Sequence, residues 1–115
     1  MSIIGVAPML NVPDVQVTVD WYKAVGFEVR ATNLDWGPGP MIWAEIGHGE
    51  AVFMVSPGDI CQGITMYFRV SDVDELYEQI GTHAAAAPVG QSYGQRNFEI
   101  VDINGISLVF GQAIG

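Results

Sequence analysis

Four short alternations in this chain place reactive or binding groups on one side of a strand. Met41, Trp43 and Glu45 alternate with Ile42, Ala44 and Ile46, and Thr65, Tyr67 and Arg69 alternate with Met66, Phe68 and Val70. Asn97 and Glu99 interleave with Phe98 and Ile100, and Ser107 and Val109 with Leu108 and Phe110. Successive strand side chains point to opposite faces, so each run has one apolar face and one mixed face. The mixed faces combine rings, carboxylates and a guanidinium. Such a surface suits a planar or cationic organic molecule, through stacking, charge-assisted hydrogen bonds and cation–π contacts worth about 0.5–2 kcal/mol each. The competing reading is a filled interior, with Trp43 as packing and Glu45 and Arg69 neutralising each other.

Other chemistries find less support. No Ser-His-Asp or Cys-His arrangement is visible. His48 lies between two glycines and His83 follows a helical stretch, and both read as ordinary exposed histidines. The single cysteine, Cys61, cannot form an internal disulfide and reads as a buried or loop thiol rather than a nucleophile. Thirteen Asp and Glu against four Lys and Arg give a net charge of −9. That balance argues against nucleic acid and anionic membrane as partners and favours cationic ligands, although carboxylates also serve solubility. No apolar run approaches the ~20 residues of a membrane span. The first residues lack the basic-then-apolar order of a signal peptide, and a cytoplasmic setting is expected.

The elements that must hold these groups are marked by a repeated phrase. Val12-Pro13-Asp14-Val15 recurs 58 residues later as Val70-Ser71-Asp72-Val73. Each copy follows an alternating run and opens an amphipathic stretch, with Asp14 and Asp72 in the position of a helix N-cap. Strands are expected over Ile3–Val12, Phe27–Thr32, Met41–Ile46 and Glu50–Val55, with a turn at Gly47-His48-Gly49. Gly26 is expected to cap the first helix in a left-handed conformation. Further strands are expected over Ile64–Val70, weakly over Ala84–Val89, and over Arg96–Val101 and Ile106–Gly111. The second helix runs from Asp72 to about Ile80. Each half is then β-α-β-β-β, so 1–115 reads as a single domain made of two modules, about 1–57 and 62–115. Half of the residues are hydrophobic and 15% are charged, and a chain of this length buries roughly two-thirds of its unfolded surface.

Trp21-Tyr22-Lys23-Ala24-Val25-Gly26-Phe27 resembles the F-Y-x-x-L-G-F helix ending of the glyoxalase/bleomycin-resistance/extradiol-dioxygenase superfamily, the vicinal oxygen chelate proteins. Gly94-Gln95-Arg96-Asn97-Phe98 with Asp102-Ile103-Asn104-Gly105 resembles its closing hairpin, and Phe110-Gly111-Gln112 resembles a tail common in its bleomycin-resistance branch. The resemblance implies an α+β fold: two βαβββ modules forming a curved mixed sheet, a half-barrel pocket with helices on the convex side. It also implies homodimers. Metal-dependent members take ligands from the first and last strand of each module, the first of them seven residues before the Asp of V-x-D. Here those positions hold Ala7 and Thr65, and the last-strand positions fall at Val109 and about Phe53. These side chains are a poor set for a divalent ion, so no metal and no cofactor is expected.

On this scheme the concave lining is Met9, Met41, Trp43, Glu45, Phe53, Thr65, Tyr67, Arg69, Glu99 and Val109, together with Asn11, Asn97 and Ser107. Val52, Met54 and Ile42 are placed against the helices. Trp36 and Tyr93 occupy corresponding loops beside glycines, as lids, as interface residues or as rings tucked onto their own module. The expectation is a metal-free binding protein, leaning away from an enzyme and without catalytic residues, that sequesters a small cationic organic compound or antibiotic in a dimeric cleft. The alternative is an enzyme of the superfamily, either metal-dependent (lyase, isomerase or dioxygenase) or a metal-free acid–base catalyst using Glu45 or Glu99 with Tyr67.

Overall fold

The computed structural model of the protein describes residues 1–60 and 62–114; the expectation for Cys61 falls outside the described residues. The chain divides into two compact units, 1–61 and 62–115. The first carries β1 (Met9–Val12), α1 (Val15–Val25), β2 (Glu28–Thr32), β3 (Ala44–His48) and β4 (Ala51–Pro57). The second carries β5 (Thr65–Arg69), α2 (Val73–Ile80), β6 (Val89–Gly90), β7 (Gln95–Val101) and β8 (Ser107–Ala113). The sheet orders are β1-β4-β3-β2 and β5-β8-β7-β6. In each module the first strand pairs parallel with the last, and the other pairs are antiparallel. The α+β fold with two βαβββ modules and mixed sheets is therefore present.

The repeated phrase makes both helix starts. The Asp14 side chain accepts the Val17 N–H at 3.0 Å, and the Asp72 side chain accepts the Glu75 N–H at 3.1 Å. Each satisfies one of the donors a helix N-terminus leaves open. Gly26 closes α1 at φ 125°, a conformation that side chains other than glycine's rarely adopt.

Each helix covers one face of its own sheet. In the first module Tyr22 from α1 meets Phe53 edge-on at 5.1 Å, beside Phe27 and the buried Leu10, Ile46 and Val55. In the second module Tyr77 of α2 meets Phe98 at 5.3 Å, and Phe110 stacks between Phe68 and Phe98 at 5.0 and 5.1 Å. Burying each of these large side chains contributes about 1.5–3 kcal/mol. The opposite face of each sheet is free of its helix and carries the mixed residues.

Several elements differ from the sequence expectation, each for a backbone reason. Only Met9–Val12 of the expected Ile3–Val12 strand pairs with β4. The Pro8 carbonyl still accepts the Met54 N–H at 2.7 Å, but Pro8 has no N–H to extend the ladder, and Ile3, Ile4 and Val6 are exposed. Of Ala84–Val89, only Val89 joins a strand, and the ladder ends at Pro88 for the same reason. The strand expected over Met41–Ile46 instead covers Ala44–His48. The Ile42 and Trp43 N–H groups are both taken by Asn33 Oδ1, at 2.8 and 3.2 Å, and Ile42 is exposed rather than packed under a helix. The hairpin turn accordingly sits at Gly49-Glu50, with Gly49 at φ 58°. His48 ends β3 with its ring edge-on to Phe27.

Candidate functional site

The helix-free face of the second module follows directly from strand register. Thr65 pairs with Ser107, Tyr67 with Val109 and Arg69 with Gly111. Across β8, Val101 pairs with Ser107, Glu99 with Val109 and Asn97 with Gly111. The face is thus a grid of Thr65–Ser107–Val101, Tyr67–Val109–Glu99 and Arg69–Gly111–Asn97. Thr65, Tyr67, Arg69, Glu99 and Val109 all lie on it, as alternation predicts.

Hydrogen bonds tie much of this grid together. The Tyr67 hydroxyl donates to Gln95 Oε1 at 3.1 Å. The nearly buried Asn97 accepts from Gln91 Nε2 at 3.1 Å and donates through Nδ2 to the Tyr93 hydroxyl oxygen at 2.8 Å. Ser107 Oγ donates to Glu99 Oε2. Tyr93 is therefore bound to its own module, while its ring stays largely exposed. Arg30 pairs with Glu28 and Arg96 with Asp74. The Asp74 hydrogen bond and charge raise the Arg96 guanidinium above its ordinary value. Arg69 makes no ion pair among the described residues, so its guanidinium faces solvent on this grid.

The first module presents a different helix-free face. Met9 pairs with Met54, Met54 with Glu45, and Asn11 with Ser56. Met9, Met54 and Glu45 therefore form one row. Phe53 does not belong to it. Its side chain is 2% exposed and lies against Tyr22 and Phe27 in the helix-side core. Its neighbours Val52 and Met54 take the open face instead. The error is a slip of one residue. Val109 is paired with Tyr67, and the residue paired with the corresponding Met9 is Met54, so Met54 is the counterpart of Val109 and Phe53 that of the core residue Leu108.

Trp36 and Trp43 lie in the first module but outside its strands. A 3₁₀ turn at Asn33–Asp35 carries a reciprocal cap, in which Thr32 accepts the Leu34 N–H and Asp35 accepts the Thr32 N–H. Trp36 follows it directly. Asn33 Nδ2 also donates to the Pro40 carbonyl at 2.9 Å, which pins the far end of the loop. The two indoles meet at 5.6 Å with planes tilted 40°, and Trp36 is 75% exposed. Met41 is half-buried in the same loop.

A cleft of about 220 Å³ opens in the second module where β6 stops. Ala85–Ala87, Val89, Gln91 and Asn97–Glu99 line it. It adjoins the Tyr93–Asn97–Glu99 part of the grid.

A divalent metal does not fit the positions where metal-dependent proteins of this fold hold one. With the register corrected, those positions carry Ala7, Met54, Thr65 and Val109, which together offer one hydroxyl and one thioether. Among the described residues no three His, Cys, Asp or Glu side chains converge. His83 lies in a short 3₁₀ turn after α2. No helix among the described residues is long and apolar enough to cross a membrane.

Sequence reasoning missed Gln91, Gln95, Met54 and Gly111. Gln95 shares the parity of Asn97 and Glu99 and was legible by extending that strand one step. Gly111 had no chemical signal, because its part is to leave space.

Neither a protein-family model nor a curated protein matches the chain. Solved structures do. The bleomycin-binding protein of bleomycin-producing Streptomyces verticillus, solved with copper(II)-bleomycin, is 23% identical, with a TM-score of 0.74 over 100% of this chain and 98% of that one. TioX from Micromonospora sp. ML1 is 21% identical, with a TM-score of 0.75 over 96% and 97%. A glyoxalase-related enzyme from Clostridium phytofermentans is 17% identical, with a TM-score of 0.77 over 99% and 98%. The fold is that of the bleomycin-resistance and glyoxalase-related proteins.

Proposed function

We propose that the protein is a binder of a small organic molecule that is planar and cationic in part, and that it carries out no chemistry on it. The observation that carries this reading is the Trp36–Trp43 pair, with one indole three-quarters exposed, in the module whose open face holds Glu45. A loop tethered at both ends holds this indole in place as a ready aromatic surface for a ligand to cover. Stacking on the indoles and charge pairing with Glu45 suit one ligand class. Tyr67, Tyr93 and Glu99 on the second module offer oxygen atoms to the same class, and Arg69 offers the complementary donor. Met9, Thr65 and Val109 line the faces, and Met41 the loop before Trp43, without special chemistry. The bleomycin-binding neighbour supports antibiotic capture as the biological form of this activity.

The cleft of the second module is smaller than the roughly 300–1,000 Å³ of sites that enclose drug-sized molecules. We therefore propose that the site takes in further surface and that a second copy of the chain completes it, in a cytoplasmic homodimer. Titration with bleomycin and a panel of cationic drugs, read by tryptophan quenching and calorimetry, tests the reading. Saturable quenching is expected, with a loss of at least about tenfold in affinity for Trp36→Ala, as for an aromatic anchor. Uniform absence of binding across the panel sinks it. Sedimentation at micromolar concentration tests the dimer.

A further inference from the structure

We propose that Gly111 and Gln95 are positioning residues that hold Tyr67 flat across β8 as a hydrogen-bond acceptor, so that the second module selects ligands presenting N–H donors. The inference rests on the binding reading above and assigns the polarity of one of its contacts. Gly111 is buried, and a Cβ built there would overlap the Tyr67 hydroxyl and lie 2.7 Å from its Cζ. The phenol ring therefore rests on the space that the missing side chain leaves. Register explains the direction of the ring. Tyr67 is paired with Val109, whereas Gly111 is paired with Arg69 and Asn97, and Gln95 lies one step further along β7. The ring thus leans diagonally over β8 to reach Gln95 Oε1 at 3.1 Å.

The tail Phe110-Gly111-Gln112 holds this seat from both sides. Phe110 is stacked in the core between Phe68 and Phe98. Gln112 Oε1 accepts the Val73 N–H at 2.8 Å, which joins the end of β8 to the first turn of α2. A strand held at the residues before and after Gly111 cannot shift to make room for a larger side chain.

The chemical consequence follows from proton counting. A phenol has one O–H proton, and that of Tyr67 is committed to Gln95 Oε1, so the oxygen shows only lone pairs to solvent. Tyr93 has the opposite polarity. Its oxygen accepts from Asn97 Nδ2, and its own proton has no partner among the described residues. An ammonium, amidinium or amide N–H suits Tyr67, and a bare carbonyl does not.

Two measurements test this separately. In the ligand-free protein, NMR should show cross-peaks between the Tyr67 ring and the Gly111 Hα protons, with one Hα shifted by the ring. These should disappear in Gly111→Ala, which keeps the rest of the spectrum. Absence of the contact in the wild type overturns the seat, whatever the protein binds. For polarity, benzylamine serves as a donor probe and acetophenone as an acceptor-only probe, followed by chemical-shift titration. Tyr67→Phe should weaken benzylamine about tenfold and leave acetophenone unchanged. The reverse pattern, or no response of benzylamine to Tyr67→Phe, overturns the acceptor role. Failure of both probes and of the cationic drug panel is instead failure of the binding reading, and the NMR contact distinguishes the two.

Discussion

The two modules share a frame and differ in what they expose. Both run strand, Asp-capped helix and three more strands, both place the first strand parallel to the last, and both bury aromatic rings under the helix. Their open faces have little in common. The first presents thioethers, a carboxylate and two touching indoles; the second presents a hydrogen-bonded grid around Tyr67, Asn97 and Glu99. The edges differ as well, since β2 pairs along most of its length and β6 for two residues. The difference teaches that strand alternation separates two sets of constraints. Core positions answer to the helix and stay apolar, whereas the positions between them do not touch it, so one frame can carry two surfaces.

The strongest way to break this comparison is to test the equivalence of Phe53 and Leu108. Phe53→Ala should cost about 3–5 kcal/mol in urea unfolding and Leu108→Ala about 2–5 kcal/mol. A small loss for Phe53→Ala together with lost ligand binding would return that ring to the open face. The caps sharpen the comparison at a lower energy. Asp14→Ala should cost about 1 kcal/mol, and Asp72→Ala less, because Gln112 still satisfies the Val73 N–H at the start of α2. Equal losses would show that the glutamine contact contributes nothing to that helix end. Trp36→Ala should move stability by no more than about 0.5 kcal/mol in the same unfolding assay, since its indole is largely exposed and not part of the core. The smallest effect belongs to Asp74→Asn. It removes the exposed Arg96 ion pair, and any change in melting temperature should vanish in high salt.

Much of the frame was legible because it rests on local rules. Asp14 and Asp72 read as caps and are caps, and Gly26 takes the positive φ that its place after α1 requires. The faces of β5, β7 and β8 also read correctly, because each run alternates without interruption. The first module misled where alternation was ambiguous. Ala51 to Val55 is apolar throughout, so periodicity alone could not say whether Phe53 or Met54 faced the helix. Strand extent was misread at Pro8 and Pro88, where a missing N–H ends a ladder that apolar content alone would continue. The Trp36–Trp43 contact was not legible, because it depends on Asn33 drawing the Pro40–Trp43 segment back over its own loop.

The sequence by itself determined the duplicated β-α-β-β-β order and the helix starts, because these follow from residue type and spacing along the chain. Only the tertiary structure decided that Phe53 belongs to the core, that the two indoles meet, and that Tyr67 lies over Gly111 towards Gln95. Each of those depends on which strand lies beside which and in what register, and a register shift of one residue exchanges the two faces of a sheet without altering the chain's composition.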